Sequence, residues 1–483
     1  MITCLLLGHD FVNEVQTITQ LFCPGERFSF IHAMPEVYPK GYLVATQMAG
    51  DTAVATVYRD GCKLATHALG TGSLPLHLNP RRVLMLAAYH ALQSAIGAYT
   101  PWGALTGIRP SKMVREWLLA GWAPDKIRHT LETTFCCHCE KAALALTVAQ
   151  EEMAQTQQIY TMGSNPVGIY VSVPFCPSRC LYCSFNVQHN YGGADIFTQY
   201  VAAVAVEIAE KANMLKDMGG TLSSIYIGGG TPTVLPEHLL AQLLQAVDNA
   251  FHTTSQAIEY TVEAGRPDTL TKGKLDILRQ YGANRIAVNP QTLNDHTLEV
   301  IGRHHKGEDF VRGVALARDA GFTSVNADVI VGLPGENIED VRRTMEGIHA
   351  LGLENVTVHT LAIKRASRLN EMLANYQLPT AKATEDMLNL ANACCAEAGL
   401  SPYYMYRQKN MVGMFENVGY SKAGHQCLYN VGMMAETQTV LGVGAGAVSK
   451  FVAGDTIRRE FNVKNPQIYV ERMTCTERNG IEK

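Results

Sequence analysis

Cys176, Cys180 and Cys183 sit in the segment Tyr170-Val-Ser-Val-Pro-Phe-Cys176-Pro-Ser-Arg-Cys180-Leu-Tyr-Cys183. Thiolates this close must ligate from a loop, and a loop can wrap a cubane cluster. Three of them hold three irons of a four-iron cluster and leave the fourth iron open to a substrate or cofactor. The rival on the same residues is zinc, with His189 as a fourth ligand, since structural zinc prefers four closed ligands. The chain has 13 cysteines. Its opening, MITCLLLGHD, is a short apolar run without a basic lead, which reads as a first strand and not as a secretory signal. A cytoplasmic protein is the expectation, where disulfides are rare and clustered cysteines mean metal or redox chemistry.

Other positions suit ligand binding. Gly228-Gly229-Gly230-Thr231-Pro232-Thr233 follows a strand-like run, and glycines allow a backbone to approach a ligand closely, although a plain tight turn has the same look. Glu263 closes the next run and Gln291 follows the one after, where a surface cap is the ordinary alternative. Asp328 lies inside the apolar run Asn326-Ala-Asp-Val-Ile-Val-Gly, and a carboxylate buried in a strand needs a partner.

The elements that must position these groups are strands alternating with helices. Strand-like runs lie at Ile169–Val173, Ser224–Ile227, Ala257–Val262, Arg285–Val288, Ser324–Val331 and Asn355–His359. Between the first two, Phe197, Val201, Val204 and Ile208 recur at helical spacing, with Asp195 as the candidate cap. Six β-α units in series predict a parallel sheet with right-handed crossovers. That is fewer than the eight of a closed barrel, so the expected fold is α/β, a partial (β/α)6 TIM-like barrel whose site lies at the C-terminal strand ends. It is expected over residues 164–400. Before it, residues 1–163 read as an α+β domain, with strands at Thr3–Gly8 and Arg27–Ala33 and a hairpin from Tyr42 to Leu69 turning at Gly50-Asp51. Helices are expected from Arg81, at Ser111–Ala120 and at Lys126–Tyr160. Residues 401–483 form a less regular C-terminal extension rich in Tyr, Met and Gly. The 483 residues are 47% apolar and 17% charged, an ordinary balance for burying a core. A net charge of −4 gives no sign of a nucleic-acid partner, and no run approaches the ~20 apolar residues of a membrane span.

The Cys-x3-Cys-x2-Cys spacing resembles the signature of the radical S-adenosylmethionine superfamily. The stretches Tyr170–Phe185, Ile225–Leu235, Thr261–Leu270, Arg285–His305 and Asn326–Glu336 look like the oxygen-independent coproporphyrinogen III dehydrogenase family within it. A weaker likeness continues at Leu441–Ser449, and Leu105-Thr-Gly-Ile-Arg-Pro110 is similar to a stretch of the HemZ-type branch. The resemblance implies a [4Fe–4S] cluster on Cys176, Cys180 and Cys183, with S-adenosylmethionine chelated by the open iron and cleaved to a 5′-deoxyadenosyl radical. It implies that Tyr170, Tyr182, Gly229, Gly230, Thr231, Glu263, Gln291, Arg303, Asp328, Ala362 and Val448 match positions contacting S-adenosylmethionine, some of them a second molecule of it. The implied reaction is oxidative decarboxylation of two propionates of a tetrapyrrole, coproporphyrinogen III, to vinyl groups. It needs an electron donor of flavodoxin or ferredoxin type and an electron acceptor.

Two positions depart from the pattern. Phe185 stands where the dehydrogenase proper has a further cysteine, and the related haem-chaperone branch has an aromatic residue there. That branch carries a His-Asn-x-x-Tyr-Trp stretch, against His425-Gln-Cys-Leu-Tyr429 here. A haem-binding chaperone and a radical enzyme with another substrate are therefore the alternatives. Lys364, Arg365, Arg368, Arg407 and Lys409 are candidates for binding substrate carboxylates, with solvated surface charge as the ordinary reading. Cys136-Cys137-His138-Cys139 is placed in one helix, where neighbouring side chains diverge, so inert thiols are expected there and at Cys394-Cys395. His304-His305 is read either as facing substrate or as capping a helix.

Overall fold

The computed structural model describes the chain apart from residues 74–77, 99, 108, 190–194, 257, 409–410, 455 and 481–483. Two compact units result, Met1–Thr147 and Val148–Lys483.

In the first unit, β1 (Ile2–Leu7) pairs in parallel with β2 (Phe28–Ile31) and β3 (Tyr42–Ala49). β4 (Thr52–Arg59) and β5 (Cys62–Gly70) extend the sheet in antiparallel fashion. The expected hairpin is thus a three-stranded meander. Its second turn is Asp60-Gly61, with φ of +50° and +80°, the left-handed pair that a tight hairpin uses. Helix α1 (Val12–Phe22) packs on α2 (Pro80–Ile96), which covers β4 and β5. Asn79 caps α2, its side-chain oxygen accepting from Arg82 N–H at 2.9 Å. α3 is Pro110–Leu119. The helix expected over Lys126–Tyr160 is two, α4 (Pro124–Thr133) and α5 (Cys139–Thr161), the second running on past Thr147. They part at Cys136, whose φ of +55° ends a helix. The Cys136–Cys139 run is therefore a connection opening α5, not part of one helix. Its Cys137 is buried and Cys139 exposed.

The second unit is built on one sheet. β6 (Pro166–Val173), β7 (Thr221–Gly229), β8 (Glu259–Glu263), β9 (Arg285–Ala287), β10 (Ser324–Val331) and β11 (Asn355–Thr360) pair in that order, all parallel. These are the six strands of the partial barrel. The predicted start of the third run, Ala257, lies outside the described residues. Helices α6 (Asp195–Asp217), α7 (Glu237–Phe251), α8 (Lys272–Gln280), α9 (Asp295–Val300), α10 (Gly307–Asp319) and α11 (Ile338–Ala350) fall between the strands. Asp195 is the first residue of α6 and binds the Gln199 side chain at 3.0 Å. Two more helices follow β11, α12 (Arg368–Glu371) and α13 (Ala381–Glu397).

Five strands of the segment 401–483 join the same sheet. β12 (Ser401–Tyr406) and β13 (Asn417–Ser421) join its β11 edge in antiparallel fashion. At the other edge β14 (Thr439–Val443) runs parallel to β6, followed by β15 (Val448–Ala453) and β16 (Thr456–Phe461). Between these two sets of edge strands in sequence lies α14 (Leu428–Ala435), and α15 (Pro466–Gly480) packs on α6. Among the described residues no helix is long and apolar enough to cross a membrane.

α14 stops the N-terminal end of the barrel. Glu259, the first residue of β8, accepts from Leu428 N–H at 2.6 Å and Tyr429 N–H at 3.0 Å, so a barrel carboxylate caps this helix. Arg285, the first residue of β9, lies 3.9 Å from that carboxylate. It also donates to Ser324 Oγ at 2.8 Å, His425 O at 2.7 Å and Asn355 Oδ1 at 3.2 Å. Above the cap, Tyr429 stacks on Tyr226 at 4.5 Å and on Tyr170 at 6.0 Å between ring centroids. Replacing Glu259 by alanine strands the buried Arg285 charge and uncaps α14. The expected cost is about 3–5 kcal/mol, and Glu259→Gln costs less; urea unfolding curves of the two variants measure the difference.

Candidate functional site

The cysteine loop starts where β6 ends and is tied at several points. Cys176 N–H donates to Gln188 O at 2.9 Å and Gln188 N–H to Pro174 O at 2.8 Å, closing the loop at its base. Further along, Leu181 N–H donates to Ile301 O and Leu369 N–H to Leu181 O, both at 2.9 Å. The Leu181 side chain enters an apolar cluster with Leu298, Ile301, Ile330, Leu333, Leu361 and Leu369, and Tyr182 packs against it. One apolar residue between Cys180 and Cys183 therefore fixes the loop to the barrel. All three thiols are half-buried. Burial pushes the Cys176 thiol up to about 12, against the pull of a contact with Thr231 Oγ1 at 3.6 Å; Cys180 and Cys183 push it further up. Burial likewise raises Cys183.

The glycine turn is stitched to this loop. Gly230 N–H donates to Val173 O at 2.8 Å and Thr231 N–H to Phe175 O at 2.7 Å. A Cβ on Gly230 would stand 2.4 Å from Phe175 O, and Gly229 has φ +104°, so neither position accepts a side chain.

Two arginines frame the loop from the other side, Arg303 at 5% exposure and Arg266 at 3%. Arg303 donates to Tyr182 Oη at 3.4 Å, to Asn289 O at 2.7 Å and to Gly265 O. Arg266 donates to Ser178 Oγ at 3.0 Å and to Asp268 at 3.3 Å. Arg303 Nε and Arg266 Nη2 are buried with no hydrogen-bond partner among the described residues. Such N–H groups are costly to leave unpaired. Their charges reach the cysteines, Arg266 acting on Cys176 and Arg303 on Cys183. The site thus holds spare donors for an anionic ligand beside three thiols.

The carboxylates stand across the barrel mouth. Glu263 accepts from Tyr226 Oη at 2.6 Å. Asp328 accepts from Asn289 Nδ2 at 2.9 Å and Asn326 Nδ2 at 2.8 Å, and lies 3.7 Å from His359 Nε2. His359 Nδ1 is 3.4 Å from Tyr406 Oη. Burial pushes Glu263 up to about 7, and the nearby Asp328 charge adds to this. His359 and the asparagine and threonine bonds hold Asp328 below the usual carboxylate range in spite of burial. The pair thus keeps its proton on Glu263. Gln291 adopts φ +67°, unusual for a non-glycine residue; its N–H donates to Asp328 O and its O accepts from Ile330 N–H, both at 3.0 Å.

The structure gathers Cys176, Cys180, Cys183, Tyr182, Gly229, Gly230, Thr231 and Arg303 around one loop, with Glu263 at the end of β8, Gln291 beyond the end of β9 and Asp328 within β10. Tyr170 lies in the tyrosine stack within the barrel. Ala362 follows β11, bridging to Met411, and Val448 opens β15 at the other side of the sheet. Among the described residues no group of three or more His, Cys, Asp or Glu side chains is arranged to hold one metal ion. Thiols that ligate three separate irons need not converge in that way.

Sequence reasoning passed over Arg266, Asn289, His359 and Tyr406. The alternation Thr357, His359 within β11 was the available signal for His359. Of the proposed carboxylate binders, Arg407 is buried and donates to Met414 O at 2.8 Å, and Lys409 lies outside the described residues. His305 is buried and pushed down to about 3 by burial and then by Arg303, so it is a neutral core residue; His304 is exposed.

Comparison with known proteins places the chain. The family model described as "Radical SAM superfamily" matches residues 170–348. The oxygen-independent coproporphyrinogen-III oxidase-like protein HemZ of Bacillus subtilis is 37% identical over 383 residues, 79% of this chain and 76% of that protein. The heme chaperone HemW of Bacillus subtilis is 29% identical over 280 residues, 58% of this chain and 69% of that one. The solved coproporphyrinogen III oxidase HemN from Escherichia coli has the same fold, with a TM-score of 0.50 at 23% identity over 67% of this chain and 72% of that one. The chain belongs to the radical SAM superfamily and, within it, to the oxygen-independent coproporphyrinogen-III oxidase-like family of the HemZ type. A [4Fe–4S] cluster and S-adenosylmethionine are the cofactors of that superfamily, and the thiols and spare arginine donors found here fit them.

Glu263 sets a pH dependence. Its folded-state value lies above its unfolded one, so ionisation opposes folding. Between about pH 4.5 and 7 the unfolded chain gives up the proton while the folded chain keeps it, and stability falls; above that window the loss is complete. Glu263→Gln removes the penalty. Thermal unfolding of the cofactor-free variant is expected to show a gain of about 3 kcal/mol at pH 8 that vanishes near pH 4.

Proposed function

We propose that this chain converts coproporphyrinogen III to protoporphyrinogen IX without oxygen, in porphyrin and haem biosynthesis, in the cytoplasm. Each of two propionates loses a β-hydrogen, CO2 and one electron, and becomes a vinyl group. When bound, the cluster and S-adenosylmethionine supply the 5′-deoxyadenosyl radical that takes the hydrogen.

The observation that carries the reading is the 37% identity to the coproporphyrinogen-III oxidase-like HemZ over most of both chains. The site supports it by its chemistry. Cys176, Cys180 and Cys183 are the cluster ligands in this reading. Arg303, with its unpaired buried Nε, suits the carboxylate of S-adenosylmethionine. Gly229, Gly230 and Thr231 give backbone access next to the cysteines, and Glu263 and Asp328 are acceptors for hydroxyl or ammonium groups. Tyr170, Tyr182, Gln291, Ala362 and Val448 complete the proposed contacts, and His359 holds Asp328 ionised and oriented. The radical chemistry is assigned to residues 164–400, with 401–483 closing the barrel. A reduced flavodoxin or ferredoxin is the proposed electron source, and a separate acceptor takes the product electron.

Phe185 and the 29% identity to HemW favour a second reading, a haem-binding chaperone. One anaerobic experiment separates them. The reconstituted protein receives reductant, S-adenosylmethionine and coproporphyrinogen III, and a parallel sample receives haem. Protoporphyrinogen with stoichiometric 5′-deoxyadenosine is the expected result. Formation of 5′-deoxyadenosine without protoporphyrinogen sinks the substrate assignment, and a stable shift of the haem absorbance supports the chaperone. Cys180→Ala is expected to lose the cluster's electron-spin signal and all 5′-deoxyadenosine formation.

A further inference from the structure

Beyond Cys183 the loop turns outward. Ser184, Phe185 and Asn186 are exposed, and Phe185 shows 70% of its surface to solvent, two residues from a cluster ligand. The segment after β11 lies along the same loop. Arg179 Nη2 donates to Ala366 O at 2.8 Å, and Leu369 N–H donates to Leu181 O at 2.9 Å. That segment carries Lys364, Arg365 and Arg368, the last two exposed, and Arg179 acts on the Cys183 thiol. Four cations therefore stand around the outer end of the cysteine loop.

Elsewhere on this unit surface arginines have acidic partners, as Arg312 with Asp309, Arg342 with Glu339 and Arg459 with Glu436. Among the described residues no carboxylate lies within ion-pair distance of Arg179, Lys364, Arg365 or Arg368. On a chain of net charge −4 this is a local reversal of sign. Unpaired like charges beside one another repel, and a negative partner relieves them. The exposed Phe185 ring on the same loop supplies an apolar anchor of the kind interfaces favour.

We propose that this face, formed by Arg179, Lys364, Arg365 and Arg368 with the exposed Phe185 further along the same loop, docks an acidic one-electron carrier protein. The inference rests on the reading that a protein donor reduces the cluster. The reduced carrier gives up one electron and is itself oxidised; the cluster gains that electron, and no bond forms or breaks. The position suits such a partner because the ligand loop itself forms the surface. A porphyrin carboxylate is the competing occupant of these cations. It is disfavoured because Arg365 and Arg368 point to solvent while the carboxylates of the site, Glu263 and Asp328, lie inside the barrel mouth.

The test uses reconstituted protein and a reduced flavodoxin of known negative charge. Three quantities are compared between the wild type, Arg365→Glu/Arg368→Glu and Phe185→Ser: the flavodoxin dissociation constant, the rate of cluster reduction by flavodoxin, and 5′-deoxyadenosine formation driven by dithionite. At low salt the double variant is expected to bind at least tenfold more weakly and accept electrons at least tenfold more slowly, with the wild type's salt dependence flattened. Phe185→Ser is expected to weaken binding with the salt dependence kept. Dithionite-driven 5′-deoxyadenosine formation should be unchanged in both. Equal flavodoxin binding and reduction across the three proteins overturns the proposal. So does a double variant that loses porphyrin turnover under dithionite while flavodoxin reduces it normally, since the cations then serve the substrate. None of the cluster-reduction readouts needs a porphyrin, so a wrong substrate assignment leaves them interpretable.

Discussion

Glu259 makes two hydrogen bonds on which the rest of the catalytic unit depends. A partial barrel of six strands is open along one side and at both ends, and its lumen here is lined with polar groups. Buried polar atoms without partners cost free energy, so the lower end must be stopped by something that can also hydrogen-bond. α14 does this. Its first N–H groups meet the Glu259 carboxylate, and the Arg285 guanidinium balances that charge while bonding three further strands or loops. A short helix would have little stability alone. Capped from inside the barrel, it delivers Tyr429 to the stack with Tyr170 and Tyr226 and so forms the floor of the site.

Above that floor the site holds groups in states that would not persist in water. Glu263 keeps a proton up to about 7, and two buried arginines retain N–H groups without acceptors among the described residues. Each of these costs folding stability in the cofactor-free chain. Each is also matched to a ligand: spare donors to an anion, paired carboxyl groups to hydroxyls or an ammonium. Ligands that bind only the folded state return that free energy. The strained φ of Gln291 belongs with this pattern, since strain of that kind gathers at binding sites.

How much of this was legible in the sequence follows from how local each signal is. The cysteine loop was readable because its ligands lie within one short segment. The six parallel strands were readable because each is a short apolar run flanked by helical periodicity. Asp328 stood out as a charge inside such a run. By contrast, Arg266 and His359 gain meaning only through contacts with Ser178, Asp328 and Tyr406, far away in sequence. The C-terminal residues looked irregular because they do three different jobs in turn: two edge strands, a plug, then three strands on the opposite edge. In the first unit, the second turn at Asp60-Gly61 was hidden within what looked like one hairpin arm. The break at Cys136 escaped because the helical pattern resumes almost in phase.

Phe185 ties the remaining questions together. Two residues beyond the last cluster thiol, a cysteine would offer the lumen or the surface a reactive sulfur, whereas a phenylalanine offers neither a ligand nor a proton. Burying its ring would be favourable by roughly 2 kcal/mol, yet the loop leaves it in solvent. Its neighbours explain why: the loop is already held at Gln188, Ile301 and Leu369, and Leu181 occupies the apolar socket. Among the described residues the Phe185 ring stays largely in solvent. An exposed aromatic ring that the fold does not use, on a loop whose other end carries cations that the fold does not pair, suits an encounter with another molecule. The face of the loop turned away from the barrel is thus as much a part of the site as the face turned inward.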